Sequence, residues 1–193
     1  MLRGAKIGLR ARQEADVAIL HTELYDDVAT RSRSDPRPWR PAAPGSASPF
    51  AVREPSEDAA IFSVVELAGG GLAGDALLWA IDQHNRKAHL GISLRPDCRG
   101  RGLGTDVVRV LCGFGFDTLG LQRLQIETLA DNTGMLRAAE RAGFVQEGRL
   151  HRSLWVAGEF VDEILLGLVA AEYDPARSPD PSRSAPATGA GRR

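Results

Sequence analysis

The sequence predicts a mixed α/β (α+β) fold, and three observations predict it. Apolar residues at period two alternate with stripes at helical spacing along most of the chain. Short polar connectors join successive strand candidates, which suits antiparallel neighbours. A glycine-rich turn leads from a clean strand into an amphipathic helix. The 193 residues are 43% hydrophobic and 25% charged, as expected for one globular domain with flexible ends. Lys plus Arg number 24 against 25 for Asp plus Glu, a net charge of -1, which argues against a nucleic-acid binder driven by bulk positive charge. No apolar run reaches the roughly eighteen residues of a membrane span. The opening MLRGAKIGLRARQEAD has no apolar signal core. Cys98 and Cys112 make neither a disulfide framework nor a metal-ligand pattern, so a reduced, cytoplasmic, metal-free protein is expected.

The elements follow in order. Ile7, Leu9 and Ala11 mark a strand over 6–11, and Val17, Leu20 and Leu24 a helix over 13–25. Residues 61–67 (IFSVVEL) form a strand that ends at Gly69-Gly70-Gly71, and 72–81 a second apolar strand. In 87–94, Ala88, Leu90, Ile92 and Leu94 point one way, and His89, Gly91 and Ser93 the other. Leu103, Val107, Val110, Leu111 and Phe114 make one helical stripe. A strand over 121–129 comes next. Asp131 or Asn132 caps a helix carrying Met135, Leu136, Ala139 and Ala142, and Gly143 ends it. SLWVA, a turn at Gly158-Glu159 and FVDEILLGL read as a hairpin.

Proline divides the chain further. Six of the eleven prolines lie within 31–58 and four in the last twenty residues. Neither cluster suits regular helix or central strand, because proline fixes φ and lacks a backbone donor. The tail over 174–193 has no large apolar residue and is expected to be disordered. The 31–58 segment contains Trp39 and Phe50, so it reads either as a functional lid or binding loop, or as an insertion with two loosely packed aromatics.

The chemistry sits in Leu94-Arg95-Pro96-Asp97-Cys98-Arg99-Gly100-Arg101-Gly102-Leu103-Gly104-Thr105. Alternate glycines bring bare backbone N–H groups close to a ligand at the start of a helix, where the dipole favours anions. Arg99 and Arg101 add positive charge. The segment lacks the Gly-Lys-Ser/Thr of a P-loop. It also departs from the dinucleotide fingerprint, because its third glycine comes one residue too early.

Arg99-x-x-Gly102-x-Gly104 between strand and helix resembles the acyl-CoA signature of the GNAT N-acetyltransferase superfamily. Asn132-Thr133-Gly134-Met135-Leu136-Arg137-Ala138-Ala139-Glu140-Arg141-Ala142-Gly143-Phe144 resembles its second motif. Glu147-Gly148-Arg149-Leu150 and the hairpin Gly158-Glu159-Phe160-Val161-Asp162-Glu163 look like the ribosomal-protein N-terminal acetyltransferase branch. The resemblance covers about residues 5–172 and implies a single acetyltransferase domain over 1–173, with 31–58 on the acceptor side. It implies a mixed, mostly antiparallel sheet flanked by helices and splayed between its central strands, 87–94 and 122–129. The pantetheine arm of acetyl-CoA would pair with the backbone of Ile92 and Leu94, and the N–H groups of Arg101 to Thr105 would hold the diphosphate. Arg99 and Gly100 complete that loop, and Asn132 would face the pantetheine or the far arm. The implied reaction is direct acetyl transfer to a primary amine, either a protein N-terminus or a small molecule. A backbone N–H around Ile92 or Ser93 would stabilise the acyl oxygen.

For the base, the sequence offers three candidates. His89 lies on the strand beside the implied reaction centre, Glu127 on the opposing strand and Glu163 on the closing hairpin. Each also has an ordinary reading, as a packed histidine or a solvated carboxylate. Two positions depart from the family pattern. Ala139 stands where many members carry a tyrosine acid, and Met135 where the ribosomal branch often has serine. These departures leave a non-catalytic acyl-CoA-binding regulatory module as the alternative. The family often dimerises, so a homodimer is one assembly the resemblance implies.

Overall fold

Alternating side-chain faces and Asp/Asn/Gly punctuation produce a single eight-stranded sheet in a computed structural model that describes residues 1–175. The strands are β1 (Leu2–Arg3), β2 (Ile7–Arg10), β3 (Ala59–Glu66), β4 (Leu72–Asp82), β5 (Lys87–Leu94), β6 (Arg123–Leu129), β7 (Val145–Val156) and β8 (Glu159–Val169). Their spatial order is β1-β2-β3-β4-β5-β6-β8-β7, and every pairing is antiparallel except β5 with β6. The helices are α1 (Glu14–Leu20), α2 (Val28–Ser34), α3 (Leu103–Gly113) and α4 (Thr133–Ala142). Both α1 and α3 run on as single turns of π-helix, His21–Tyr25 and Phe114–Thr118. The expected tail over 174–193 lies outside the described residues from 176 onward.

One face of the sheet buries Val64, Ala76, Leu78, Ala88, Leu90, Leu124, Ile126, Leu166 and Leu168 against α3 and α4. Leu103, Val107, Val110 and Leu111 supply the α3 stripe, as their spacing predicts. Asn132 caps α4 by accepting from the Met135 N–H at 3.2 Å, and Gly143 ends it at φ +103°. The other face carries α1, its π-turn, α2 and the irregular 35–58 segment. There Leu20, Leu24, Tyr25, Phe50 and Leu72 form a second cluster, with Trp39 packed against it.

Several expectations change. Residues 31–34 belong to α2, which the sequence reading placed in the loop. The segment VATRSRS has no apolar stripe to reveal a helix, although Asp27 caps it through the Thr30 N–H at 3.2 Å. The proline-rich stretch holds its aromatics firmly. Phe50 is only 6% exposed, Trp39 Nε1 donates to the Tyr25 carbonyl at 3.0 Å, and Tyr25 donates to the Arg40 carbonyl at 2.6 Å. Buried His21 meets Ser48 Oγ at 2.8 Å and the Ala42 carbonyl at 3.0 Å, and Arg12 reaches the Phe50 carbonyl at 3.1 Å. The insertion is therefore sewn to the domain, and the loosely packed alternative falls.

The final hairpin turns at Ala157 and Gly158, with φ of +49° and +96°, one residue earlier than expected. Positive φ at both central positions is what a tight hairpin turn requires. β7 also begins well before SLWVA. Its register breaks between Leu150 and Leu154, which hid the strand's period from the sequence. Gly91 pairs in regular register with Leu77, and the breaks in β3 and β4 lie elsewhere.

Candidate active site

β5 and β6 pair in parallel only through Lys87–Arg123, Ala88–Leu124 and His89–Gln125. Beyond His89 and Gln125 the two strands separate. Residues 90–94 and 126–129 thus lose a strand partner on their facing edges, and those backbone groups need another. The split opens toward the end of the sheet where the glycine loop starts α3.

Gly100 and Gly102 sit at φ +72° and +80°. Gly102 is the N-cap of α3, so the N–H groups of Leu103, Gly104 and Thr105 have no acceptor within the helix. A Cβ on Gly100 would meet nothing within 4 Å, and one on Gly104 would stand 3.5 Å from Ile92. The loop is thus an open cradle of amides against the strand end. Its arginines are held in place. Arg99 Nε donates to the Leu94 carbonyl at 2.9 Å, and Arg101 makes two bonds to Glu66, at 2.9 and 2.6 Å. Cys98 is buried, and burial pushes its thiol up; burial does the same to Cys112. Asn132, which the resemblance implies as a cofactor contact, also donates to Thr128 Oγ1 at 3.0 Å, so one end of its side chain caps α4 and the other holds β6.

The opposite face assembles from separated elements. Trp79 on β4 pairs with His89 on β5, and their rings lie 4.4 Å apart between centroids. His89 Nδ1 is buried without a hydrogen bond and lies 3.4 Å from Glu127 Oε1 across the root of the split. Glu127 accepts from Gln125 Nε2 at 2.8 Å. Glu163 pairs in register with Leu129, two residues beyond Glu127, which puts both carboxylates on one face. Its carboxylate accepts from Ser153 at 3.1 Å. The structure brings His89 and Glu127 together and sets Glu163 further along the same face.

Around this face the helical layer straddles the split. Arg95, just past β5, donates to Glu23 on the π-turn at 2.8 Å. Arg33 on α2 donates to Asp131, just past β6, at 2.6 Å. Deeper in, Arg12 pairs with Asp75, which faces the same way as Ser93, its β5 partner. Burial pushes the Asp75 carboxyl up against the pull of Arg12. Sequence reasoning missed Trp79, which looked like one more apolar residue of a strand. It also missed Asp75, whose partner lies 63 positions away. Among the described residues, no cluster of three or more His, Cys, Asp and Glu side chains could hold a metal ion, and no helix is long and apolar enough to cross a membrane.

Known proteins match this arrangement. The Acetyltransferase (GNAT) domain family covers residues 6–145. A Bacillus subtilis protein named "Putative ribosomal N-acetyltransferase YdaF" is 32% identical over 56% of this chain and 59% of its own length. The spermidine N(1)-acetyltransferase of Vibrio cholerae is 26% identical over 57% of this chain and 64% of its own. The chain thus spans about three fifths of these curated relatives. A solved structure of spermidine N-acetyltransferase from Vibrio cholerae with CoA and spermine superposes with a TM-score of 0.75 at 19% identity, covering 88% of this chain and 98% of that one. Mycobacterium smegmatis RimJ in complex with CoA-disulfide gives 0.71 at 19%, covering 89% and 87%. At these identities the structures establish a shared fold.

Proposed function

The chain belongs to the GNAT acetyltransferase family, and from that premise we propose that it is an acetyl-CoA-dependent N-acetyltransferase acting on a primary amine. The observation that carries this reading is the coincidence of two openings. The amide cradle at Gly100–Thr105 lies at the same end of the sheet as the gap between β5 and β6. An extended arm with its own amides would replace the missing strand pairing in the gap.

The cradle fits a diphosphate, because it offers bare N–H groups and open space at Gly100. Gly102, Leu103, Gly104 and Thr105 would hold it, with Ile92, Ser93 and Leu94 along the pantetheine. Acetyl-CoA, when bound, supplies an activated acetyl thioester. The N–H of Ile92 or Ser93 would stabilise the negative charge that develops on the acyl oxygen. An alkyl ammonium must lose a proton before it attacks. His89 is the group to accept it, with its unbonded Nδ1 at the root of the split and Glu127 Oε1 3.4 Å away. Trp79 packs its ring against the imidazole at a tilt of 32°. Ala139 is fully buried and offers no acid for the departing thiolate, which needs little assistance.

Glu127 and Glu163 line the acceptor face and favour a cationic acceptor. That agrees with relatives named for spermidine and for ribosomal substrates, so a polyamine and a protein α-amine head the acceptor classes. A matrix of acyl-CoA donors against amines, read by thiol release, tests the proposal. Release with acetyl-CoA and a cationic amine supports it. Tight coenzyme binding without transfer to any amine class would favour a non-catalytic module.

A further inference from the structure

The glycine loop has a second wall, on the side away from the split. A cavity of about 530 Å³ lies there, lined by Lys6, Glu66, Arg101 and Leu103 among others. The β1–β2 turn that carries Lys6 is clamped to α3. Asp106, in the first turn of that helix, accepts from the N–H groups of Ala5 at 3.1 Å, Lys6 at 2.7 Å and Ile7 at 3.1 Å. The clamp uses the backbone of Lys6 and leaves its side chain available. Lys6 Nζ donates to the Arg101 carbonyl at 3.1 Å and lies 3.4 Å from where a Cβ on Gly102 would stand. An ammonium is therefore fixed at the rim of the amide cradle, with Arg101 next to it. Glu66 pairs with Arg101 at 2.6 Å and the Asp106 carboxylate is taken up by backbone N–H groups, so the Lys6 ammonium is held by a carbonyl and not by a carboxylate.

Direction follows from topology. Sheet order runs β2-β3-β4-β5-β6, so Lys6 and the split lie on opposite sides of the loop. Coenzyme A is a linear molecule, with pantetheine on one side of its diphosphate and a 3′-phosphorylated adenosine on the other. If pantetheine runs into the split, the adenosine half leaves toward the cavity. We propose that Lys6, with Arg101 beside it, binds the 3′-phosphate of coenzyme A. The inference rests on the coenzyme reading above and adds a residue outside the motifs that carried it.

Calorimetry with coenzyme A and 3′-dephospho-coenzyme A, on the full chain and on Lys6→Met, tests it. The unaltered protein should bind coenzyme A about tenfold tighter than the dephospho form, the weight of roughly one charge-assisted hydrogen bond. Lys6→Met should erase that preference while leaving affinity for the dephospho form unchanged, and Lys6→Arg should restore it. An unaltered melting curve for Lys6→Met confirms that the clamp on Asp106 persists. Equal loss for both ligands would place Lys6 on the diphosphate and overturn the proposal, as would an unaltered protein that binds both equally well. Failure of the unaltered protein to bind either ligand would instead remove the coenzyme reading itself.

Discussion

On the α3 side of the split the surface proposed to bind the coenzyme is backbone. Gly100 and Gly102 hold positive φ, and the first-turn amides of α3 point outward. On the opposite face it is side chains from separate parts of the chain, namely Trp79, His89, Glu127 and Glu163. Twelve consecutive residues write the first surface, whereas the second exists only after four strands have found their register. A backbone site tolerates almost no added bulk or charge, since nothing in it can rotate away. A side-chain site can lose one member and keep its shape. The contrast predicts steep, binding-centred losses on one side and graded, rate-centred losses on the other.

The largest effect is expected at Gly102. Gly102→Asp puts a carboxylate beside the amides proposed to hold the diphosphate, and coenzyme affinity by calorimetry should fall at least about a thousandfold. Gly102→Asn carries the same strain at positive φ without the charge and should lose far less. Similar losses for both would mean that backbone strain, and not charge at the cradle, governs this side. Next is Phe50→Ala, which removes a buried ring holding the 35–58 segment. It should cost about 3 kcal/mol in urea unfolding, and a cost under about 1 kcal/mol would show that the segment merely lies on the surface. His89→Ala should lower kcat about a hundredfold, as expected for a lost proton acceptor, with coenzyme affinity unchanged. A fall in affinity with kcat intact would reverse the assignment of the two faces.

A pH titration sharpens the comparison most gently. Asp16 in α1 is buried, which pushes its carboxyl up. Arg10, the Gln13 N–H and the Ser63 hydroxyl more than offset this and hold it down at about 2. The folded value lies below the unfolded one. The resulting stability is therefore present above about pH 4 and is lost as pH falls toward 2. The loss should be about 2 kcal/mol, read from unfolding midpoints across that range. Asp16→Asn should flatten this dependence. Since Asp16 anchors the helical layer of α1 and α2 to β3 through Ser63, acid should loosen that layer before the α3 side.

Much of the fold was legible because it rests on local periodicity and punctuation. The alternation in β5, the stripe in α3, the Asn132 cap and Gly143 each need only a few neighbours to be read. α2 was hidden because VATRSRS buries nothing on a periodic face, and β7 because its register break scrambles the alternation. The glycine loop was legible for the same local reason. His89 and Glu127 could be named as candidates from their strands, but their approach to 3.4 Å could not. Trp79 carried no signal, and neither did the Arg12–Asp75 pair.

Sequence alone therefore determined the helices and strands with a clean period, the caps and the amide cradle, all products of dihedral preference and hydrogen bonding within a dozen residues. Tertiary structure decided where β5 and β6 part, what closes over the gap, and which carboxylate meets the unbonded imidazole nitrogen. Those outcomes depend on strand register and on contacts between residues far apart in the chain, where a shift of one residue would send every side chain to the opposite face.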